Sequence, residues 1–171
     1  MVAYATRFGV GFAGAVSRQE ASTIEPETFN SANMPTAFGV ALRFTTTNGV
    51  TNVEPAVGSG DVVVGFLARP FVDIGAAGYD AFGAEAPRVG SNANLLRRGY
   101  IVVKLATGDY TAGTCLKGTP VYLRTTVASS PARPVGGLAD SSGSTGTTVI
   151  PGAVFMGPPD ANGFTEIAYN I

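Results

Sequence analysis

The chain has no histidine and no tryptophan, and it has a single cysteine, Cys115. Without histidine it lacks the usual general base of active sites and the commonest transition-metal ligand. One cysteine excludes an intrachain disulfide and a cysteine-rich zinc site. No activating group is adjacent to Cys115, so we interpret it as a structural thiol. Since no paired-carboxylate arrangement is present either, we expect neither an enzyme nor a bound cofactor or metal.

Charge is also scarce, because charged residues make up only 13% of the 171 residues. Intermixed charges normally keep protein surfaces apart, so we expect much of this surface to be covered by a partner. The formal net charge of −1 does not support the phosphate neutralisation on which nucleic-acid binders depend. No apolar run approaches the ~20 residues that cross a bilayer, and the N-terminus has no basic leader before a long apolar core. We expect no nucleic-acid partner, no signal peptide and no membrane span.

What the sequence does contain is a series of short apolar segments separated by turns. The central pair is 99–105, dense in β-branched and aromatic residues, and 119–125. Asn48-Gly49 predicts a hairpin turn, and no helical period persists along the chain. The pattern predicts an all-β protein, a small β-barrel or jelly-roll-like sandwich with an extended N-terminal arm and long loops. Further strands are predicted at 37–44, 61–68, 149–156 and 164–171.

We divide the chain into an N-terminal arm, residues 1–34, and a β-barrel or jelly-roll domain, residues 35–171. Long loops are predicted within that domain at 71–94 and 129–147. The first loop has no sustained period, and long ordered loops are usually functional or bound to a partner. The second loop is rich in Ser, Gly and Pro, which bury too little apolar surface to offset ordering, so we expect it to be flexible and exposed.

Two spacings resemble ligand-binding motifs, but their surroundings do not support a site. Residues 9–14 match the G-x-G-x-x-G spacing of dinucleotide-binding loops, yet 15–23 offers only a short, poorly periodic piece where a long helix should follow. Asp73, Asp80 and Glu85 lack the alternating acidic pattern of a calcium loop, so we interpret them as solvated turn residues.

Large side chains recur on one parity of the N-terminal arm. Tyr4, Phe8 and Phe12 would form a row on one face of an extended chain. The row predicts either an ordinary first strand of the protein's own sheet or an arm that reaches onto a neighbouring subunit. With Arg97 and Arg98, these aromatic residues are our candidates for an interface. The alternative for them is a core strand and a solvated turn.

Five segments, taken in sequence order, carry a resemblance to a known family. They are AFGVAL at 37–42, VGFLARP at 64–70, LLRRGYIVV at 95–103, KGTPVY at 117–122 and IPGAVF at 150–155. Together they resemble the structural cement proteins of tailed bacteriophages, from about residue 35 to the end, with a looser match over the arm. These proteins are small β-barrel or jelly-roll subunits that sit on the outside of the head and bind across adjacent major capsid subunits.

The resemblance implies a cement or decoration protein on the outer surface of the capsid in the virion. Its implied partners are the major capsid protein and copies of itself, as a trimer or a dimer at local symmetry axes. Such a protein stabilises the expanded shell by binding the assembled lattice better than loose capsid protein.

The alternative function is a carbohydrate-binding jelly-roll module on the virion surface. Sugars usually stack on tryptophan, and its absence argues against this function. The tyrosines Tyr79, Tyr100, Tyr110 and Tyr122 are the residues that could stack instead.

Overall fold

The computed structural model describes residues 11–70, 74–75, 78–79, 86–111, 113–129, 132–140 and 146–171. Within these ranges the chain forms β-strands and a short 3₁₀ helix, Gln19–Ala21, and no helix there is long and apolar enough to cross a bilayer. The predicted all-β fold class is confirmed. The strands are β1 (Thr23–Thr28), β2 (Ala41–Thr47), β3 (Val50–Pro55), β4 (Gly65–Ala68), β5 (Ile74–Gly75), β6 (Gly78–Tyr79), β7 (Asn92–Lys104), β8 (Pro120–Arg124), β9 (Ala128–Ser129), β10 (Ala132–Arg133), β11 (Leu138–Ala139), β12 (Thr147–Phe155) and β13 (Phe164–Tyr169).

Most of the strands belong to one nine-stranded sheet. Its order is β11-β8-β12-β13-β7-β4-β2-β3, and β1 pairs with β7 beside that path. The strand pairings in this sheet are antiparallel. Strands β5 and β6, and strands β9 and β10, form two small ribbons.

Strand β7 joins the two halves of the sheet because its 13 residues change partners along their length. The first half pairs with β4 and β1, and the second half pairs with β13. A register shift interrupts its pairing with β1, and Gly99 there has a φ of +135°. A Cβ at Gly99 would lie 2.3 Å from Oγ of Ser22, so the position requires glycine. Leu96 and Ile101 are an odd number of residues apart, so a regular strand would place them on opposite faces. Because of the irregularity, both lie in the same hydrophobic core.

The half of the sheet that contains β1, β7, β4, β2 and β3 curls until its edges meet. Phe29 follows β1 and forms a parallel bridge with Val53 of β3. The amide of Asn30 donates to the carbonyl oxygen of Val53 at 2.9 Å. This curl gives the barrel-like form that the sequence predicted.

Two hydrophobic cores lie on opposite sides of the curled half of the sheet. Leu95 and Leu67 belong to the smaller core, whereas their neighbours Leu96 and Phe66 belong to the larger one. Because successive strand residues point to opposite faces, the middle of the sheet is buried on both sides. The smaller core comprises Phe29, Phe38, Leu42, Val53, Leu67, Ala93 and Leu95, and the larger core comprises Ala41, Ala56, Phe66, Ala68, Leu96, Ile101, Val103, Leu105, Cys115, Val121, Leu123, Leu138, Ile150, Ala153, Phe155, Ile167 and Tyr169.

The described part of the N-terminal segment lies along β7. The amide of Gly14 donates to the carbonyl oxygen of Val102 at 2.8 Å, and the amide of Val102 donates to that of Ala15 at 2.9 Å. Strand β1 continues this pairing toward the start of β7. Residues 14–28 therefore bind the chain's own sheet, whereas Tyr4 and Phe8 lie outside the described residues.

Several strand boundaries differ from the sequence prediction. Strand β2 begins at Ala41, not at residue 37, and β4 is confined to Gly65–Ala68. The expectation of an exposed loop throughout 129–147 is wrong at β11, where Leu138 and Ala139 are buried against β8. A low-complexity sequence concealed this strand because its two apolar residues are bounded by glycine, aspartate and serine.

Candidate interaction surface

One face of the sheet carries a row of apolar side chains that point away from the larger core. Val154 of β12 pairs with Pro120 of β8 on one side and with Ala168 of β13 on the other. Ala168 in turn pairs with Tyr100 of β7. Directly opposed residues in antiparallel strands share a face, so the row crosses four neighbouring strands.

The residues that alternate with this row fix its orientation. Phe155, Ile167 and Ile101 pair with one another across β12, β13 and β7, and all three lie in the larger core. The opposite side of these strands therefore points away from the larger core. We call it the outer face, and it contains Tyr100, Val102, Lys104, Pro120, Tyr122, Val149, Val154, Phe164, Glu166 and Ala168, of which Val102 and Ala168 are buried.

Most of the outer face is partly or fully exposed, although Ala168 within it is only 4% exposed, and Lys104 is its charged side chain without a described ion pair. Val149 is 46% exposed, and Tyr122, its partner across β8 and β12, is half-buried. Phe164 is also half-buried, and Nζ of Lys104 lies 5.6 Å from its ring centroid. A surface of this composition loses little polar hydration when another protein covers it.

The acidic group on the outer face is neutralised by the segment that precedes β1. Nη2 of Arg18 donates to Oε2 of Glu166 at 3.0 Å, and Oγ of Ser17 donates to Oε1 at 2.5 Å. The hydrogen bond and the charge of Glu166 raise the pKa of Arg18. The guanidinium also lies 4.1 Å from the ring centroid of Tyr100. One face of that ring is therefore not open to a stacking sugar.

A second polar cluster lies beside β2 and β3 at an open groove of about 230 Å³. Glu54 is buried and accepts from Nη2 of Arg43 at 2.5 Å and from Nδ2 of Asn30 and Asn33 at 2.6 and 2.9 Å. The Asn33 hydrogen bond most strongly lowers the pKa of Glu54; burial opposes it, and the bonds from Asn30 and Arg43 add to it.

Asp61 completes this cluster from the loop that follows β3. Its Oδ1 accepts from Nη1 of Arg43 at 2.7 Å, and its Oδ2 accepts from the amides of Val57 and Gly58, both at 2.7 Å. Burial alone would raise the pKa of Asp61, but the two amides and the charge of Arg43 outweigh burial and lower it. The cluster therefore links β2, β3, the segment that follows β1 and the loop that follows β3, and its carboxylates are ionised near neutral pH.

The cysteine thiol is buried outside these clusters. Cys115 lies in the larger core, where burial, and secondarily the charge of Asp140, raise the pKa of its thiol to about 11. The thiol is therefore protonated near neutral pH and a poor nucleophile. Within the described part of the chain, no group of three or more Cys, Asp or Glu residues is placed to hold a metal ion.

The structure gives the predicted interface residues different surroundings. Arg97 is engaged by its own chain, since its Nη1 donates to the carbonyl oxygen of Val64 at 2.8 Å and its Nε lies 3.4 Å from Oε2 of Glu25. Arg98 is exposed, and its side chain has no hydrogen bond or ion pair with any residue that the structure describes. Phe12 is 54% exposed.

The sequence prediction missed the outer face as a surface. The available signal was the alternation of β13, where Thr165, Ile167 and Tyr169 were opposed in parity to Phe164 and Glu166. The structure buries the first set and leaves the second half-exposed. What the sequence does not contain is the register that aligns β13 with β12 and β8.

The comparison with known families decides what the chain is related to. A family model described as XM1 gp53 minor capsid protein matches residues 1–169. The chain belongs to this minor capsid protein family. It is therefore a bacteriophage capsid-associated structural protein of the virion, and the predicted kinship with phage capsid proteins is confirmed.

A solved structure has a similar fold to this minor capsid protein. A chain of the structure described as "The capsid of Myoviridae Phage XM1" is 20% identical, with a TM-score of 0.64. The match covers 98% of this chain and 95% of that chain. No protein with curated annotation matches the sequence.

Proposed function

We propose that this minor capsid protein is a cement protein. It binds the outer surface of the phage head across adjacent major capsid protein subunits and stabilises the expanded shell. The observation that carries the proposal is the outer face, a partly exposed apolar row across four strands whose acidic group is already paired. In a chain with only 13% charged residues, this is the described surface best suited to lie against another protein.

The energetics of such a contact favour an uncharged sheet face. Covering Val149, Val154 and Tyr122 removes apolar area from water at roughly 25 cal/mol per Å². Burying an unpaired carboxylate would oppose binding, but Glu166 already has Arg18 and Ser17 as partners. The face therefore gains from burial at a small electrostatic cost.

Stabilisation of the shell requires binding that discriminates between states of the capsid. A subunit that binds the assembled lattice tightly and unassembled capsid protein weakly shifts the assembly equilibrium toward the lattice by mass action. Modest affinity per copy is sufficient, because copies that also associate with one another bind with a raised effective concentration. This mechanism uses no catalysis and no cofactor.

The interface residues predicted from the sequence fit this proposal to different degrees. We propose Arg98 as a contact to the lattice, because its side chain is exposed and has no described partner. Arg97 contributes to the same contact only through the guanidinium N–H groups that do not bind Val64 or Glu25. Tyr4, Phe8 and Phe12 are proposed as aromatic anchors on a neighbouring subunit.

The test is binding of purified protein to phage heads that lack it, with two valine variants compared. Val149→Lys places a charge on the outer face, whereas Val89→Lys places it at an 86% exposed position elsewhere. We expect Val149→Lys to weaken head binding by at least ~tenfold, which is about 1.4 kcal/mol, and Val89→Lys to bind as the wild type does. Equal binding by both variants would show that the outer face is not the contact surface.

A further inference from the structure

The β2–β3 hairpin extends beyond both cores as a two-stranded ribbon. Asn48 and Gly49 have φ angles of 53° and 78°, and Thr47 pairs with Val50 across them. These angles define the tight two-residue turn that the Asn-Gly sequence predicted. From this turn back to the body of the sheet, the two strands have only each other as described pairing partners over 45–52.

The backbone groups on the free edge of β2 can be assigned from one hydrogen bond. The carbonyl oxygen of Leu42 accepts from the amide of Val64 at 2.8 Å, so the backbone groups of Leu42 point to the edge of β2 opposite β3. Backbone direction alternates along an antiparallel strand, so Phe44 and Thr46 present their N–H and C=O groups to the same edge. Neither residue has a backbone partner on that side among the residues that the structure describes.

This edge lacks the features that usually prevent strands from pairing with other molecules. Proteins protect open edges with charged residues, proline or bulges. Residues 44–52 contain no charged residue and no proline, and the β2–β3 register runs without a shift. The charged residue next to this stretch, Arg43, is bound by Glu54 and Asp61.

We propose that the β2 edge pairs with the β2 edge of a second copy of this chain about a twofold axis. The inference rests on the self-association included in the proposed function and names its surface. With the axis opposite Thr45, Phe44 of each copy lies beside Thr46 of the other, and their outward backbone groups bond reciprocally. Because the edge is uncharged, two copies meet without like-charge repulsion.

Two proline variants of the same hairpin test the pairing. Thr46→Pro removes the N–H that faces the β2 edge, whereas Thr51→Pro removes the outward N–H of the opposite strand, and neither removes a bond between β2 and β3. In sedimentation equilibrium we expect Thr46→Pro to raise the dimer dissociation constant at least ~tenfold and Thr51→Pro to leave it unchanged. A dimer that persists in Thr46→Pro, or a wild-type protein that is monomeric throughout, overturns the proposal.

A cysteine variant provides a second measurement that needs no destabilising proline. Across the proposed axis, Thr45 of one copy lies opposite Thr45 of the second copy. The two form a non-hydrogen-bonded pair, the arrangement that brings side chains closest. Thr45→Cys should form a disulfide-linked dimer under mild oxidation, and Thr51→Cys should not. Cys115 will not interfere, because it is buried. Equal crosslinking of the two variants would contradict the pairing.

Head binding by Thr46→Pro separates this inference from the cement proposal. If both are correct, Thr46→Pro binds heads more weakly than Thr51→Pro does, because it loses the gain from multivalency. If the wild type binds no heads, the cement proposal fails while sedimentation still decides the hairpin contact. If heads bind but the dimer is unaffected by Thr46→Pro, only the hairpin contact fails.

Discussion

Arg124 and Asp109 form an ion pair that is closed to solvent. Nε of Arg124 donates to Oδ1 of Asp109 at 2.7 Å, and the two side chains are 1% and 0% exposed. The backbone of Arg124 bonds to Gly136 and Gly137, both at 2.8 Å. The pair therefore ties the turn after β7 to β8 and to the segment that leads into β11.

Removing one member of this pair should strongly destabilise the protein. We expect Asp109→Asn or Arg124→Met to lower the free energy of unfolding by about 3–5 kcal/mol, because each removes the nearest opposite charge from a buried charged group. The double variant should lose less than the sum, since neither charge remains. Urea unfolding of all three variants measures this, with the exposed Lys117→Met as a control expected to change stability by less than ~0.5 kcal/mol. Additive losses would mean that the two residues are not coupled.

Stability should fall in acid because of Glu54 and Asp61. The folded-state pKa of each carboxyl lies below its ordinary value of 4.5 or 3.8. Their stabilisation is therefore fully present above the ordinary pKa and is lost as the pH falls through the lower, folded-state pKa. Urea unfolding from about pH 7 to about pH 3 should show this loss. Glu54→Gln should be less stable than the wild type at neutral pH, but its unfolding free energy should fall less on acidification. An equal fall in the wild type and the variant would contradict the assignment of the acid sensitivity to Glu54.

Arg97 and Arg98 are adjacent in sequence but should respond differently to replacement. Arg97→Ala removes the hydrogen bond to Val64 and the contact with the Phe44 ring, 5.6 Å away, so we expect a loss of about 1–2 kcal/mol of unfolding free energy. Arg98→Ala should change stability by less than ~0.5 kcal/mol. Thermal unfolding distinguishes the two, and head binding should be weakened by Arg98→Ala. Unchanged head binding in Arg98→Ala would remove Arg98 from the interface.

The sequence predicted best those strands whose pattern reflects burial in a core. A terminal strand was predicted at 164–171, where two sets of side chains alternate, and β13 occupies Phe164–Tyr169 with Thr165, Ile167 and Tyr169 buried. The segment 119–125 was predicted from its apolar content, and β8 occupies Pro120–Arg124. In these strands the apolar residues that give the local sequence pattern are also the residues that pack in the core, so the sequence alone was enough to predict them.

Strand β1 escaped prediction because its stability comes from its neighbour. Its sequence, TIEPET, is polar and contains Pro26, and most of its residues are exposed. It is extended because β7 offers it a backbone edge, and a proline is tolerated in a strand at a sheet edge. The outer face was missed for a related reason, because it depends on the register of four strands that no local pattern encodes.

The measurement that tests the cement function most directly is the number of copies bound to three forms of the capsid. Purified protein is incubated with expanded heads that lack it, with compact precursor shells and with dissociated capsid subunits. Our account predicts saturable binding to expanded heads, raised resistance of those heads to heat, and much weaker binding to the other two forms. Equal binding to dissociated subunits, or no binding to expanded heads, would contradict it.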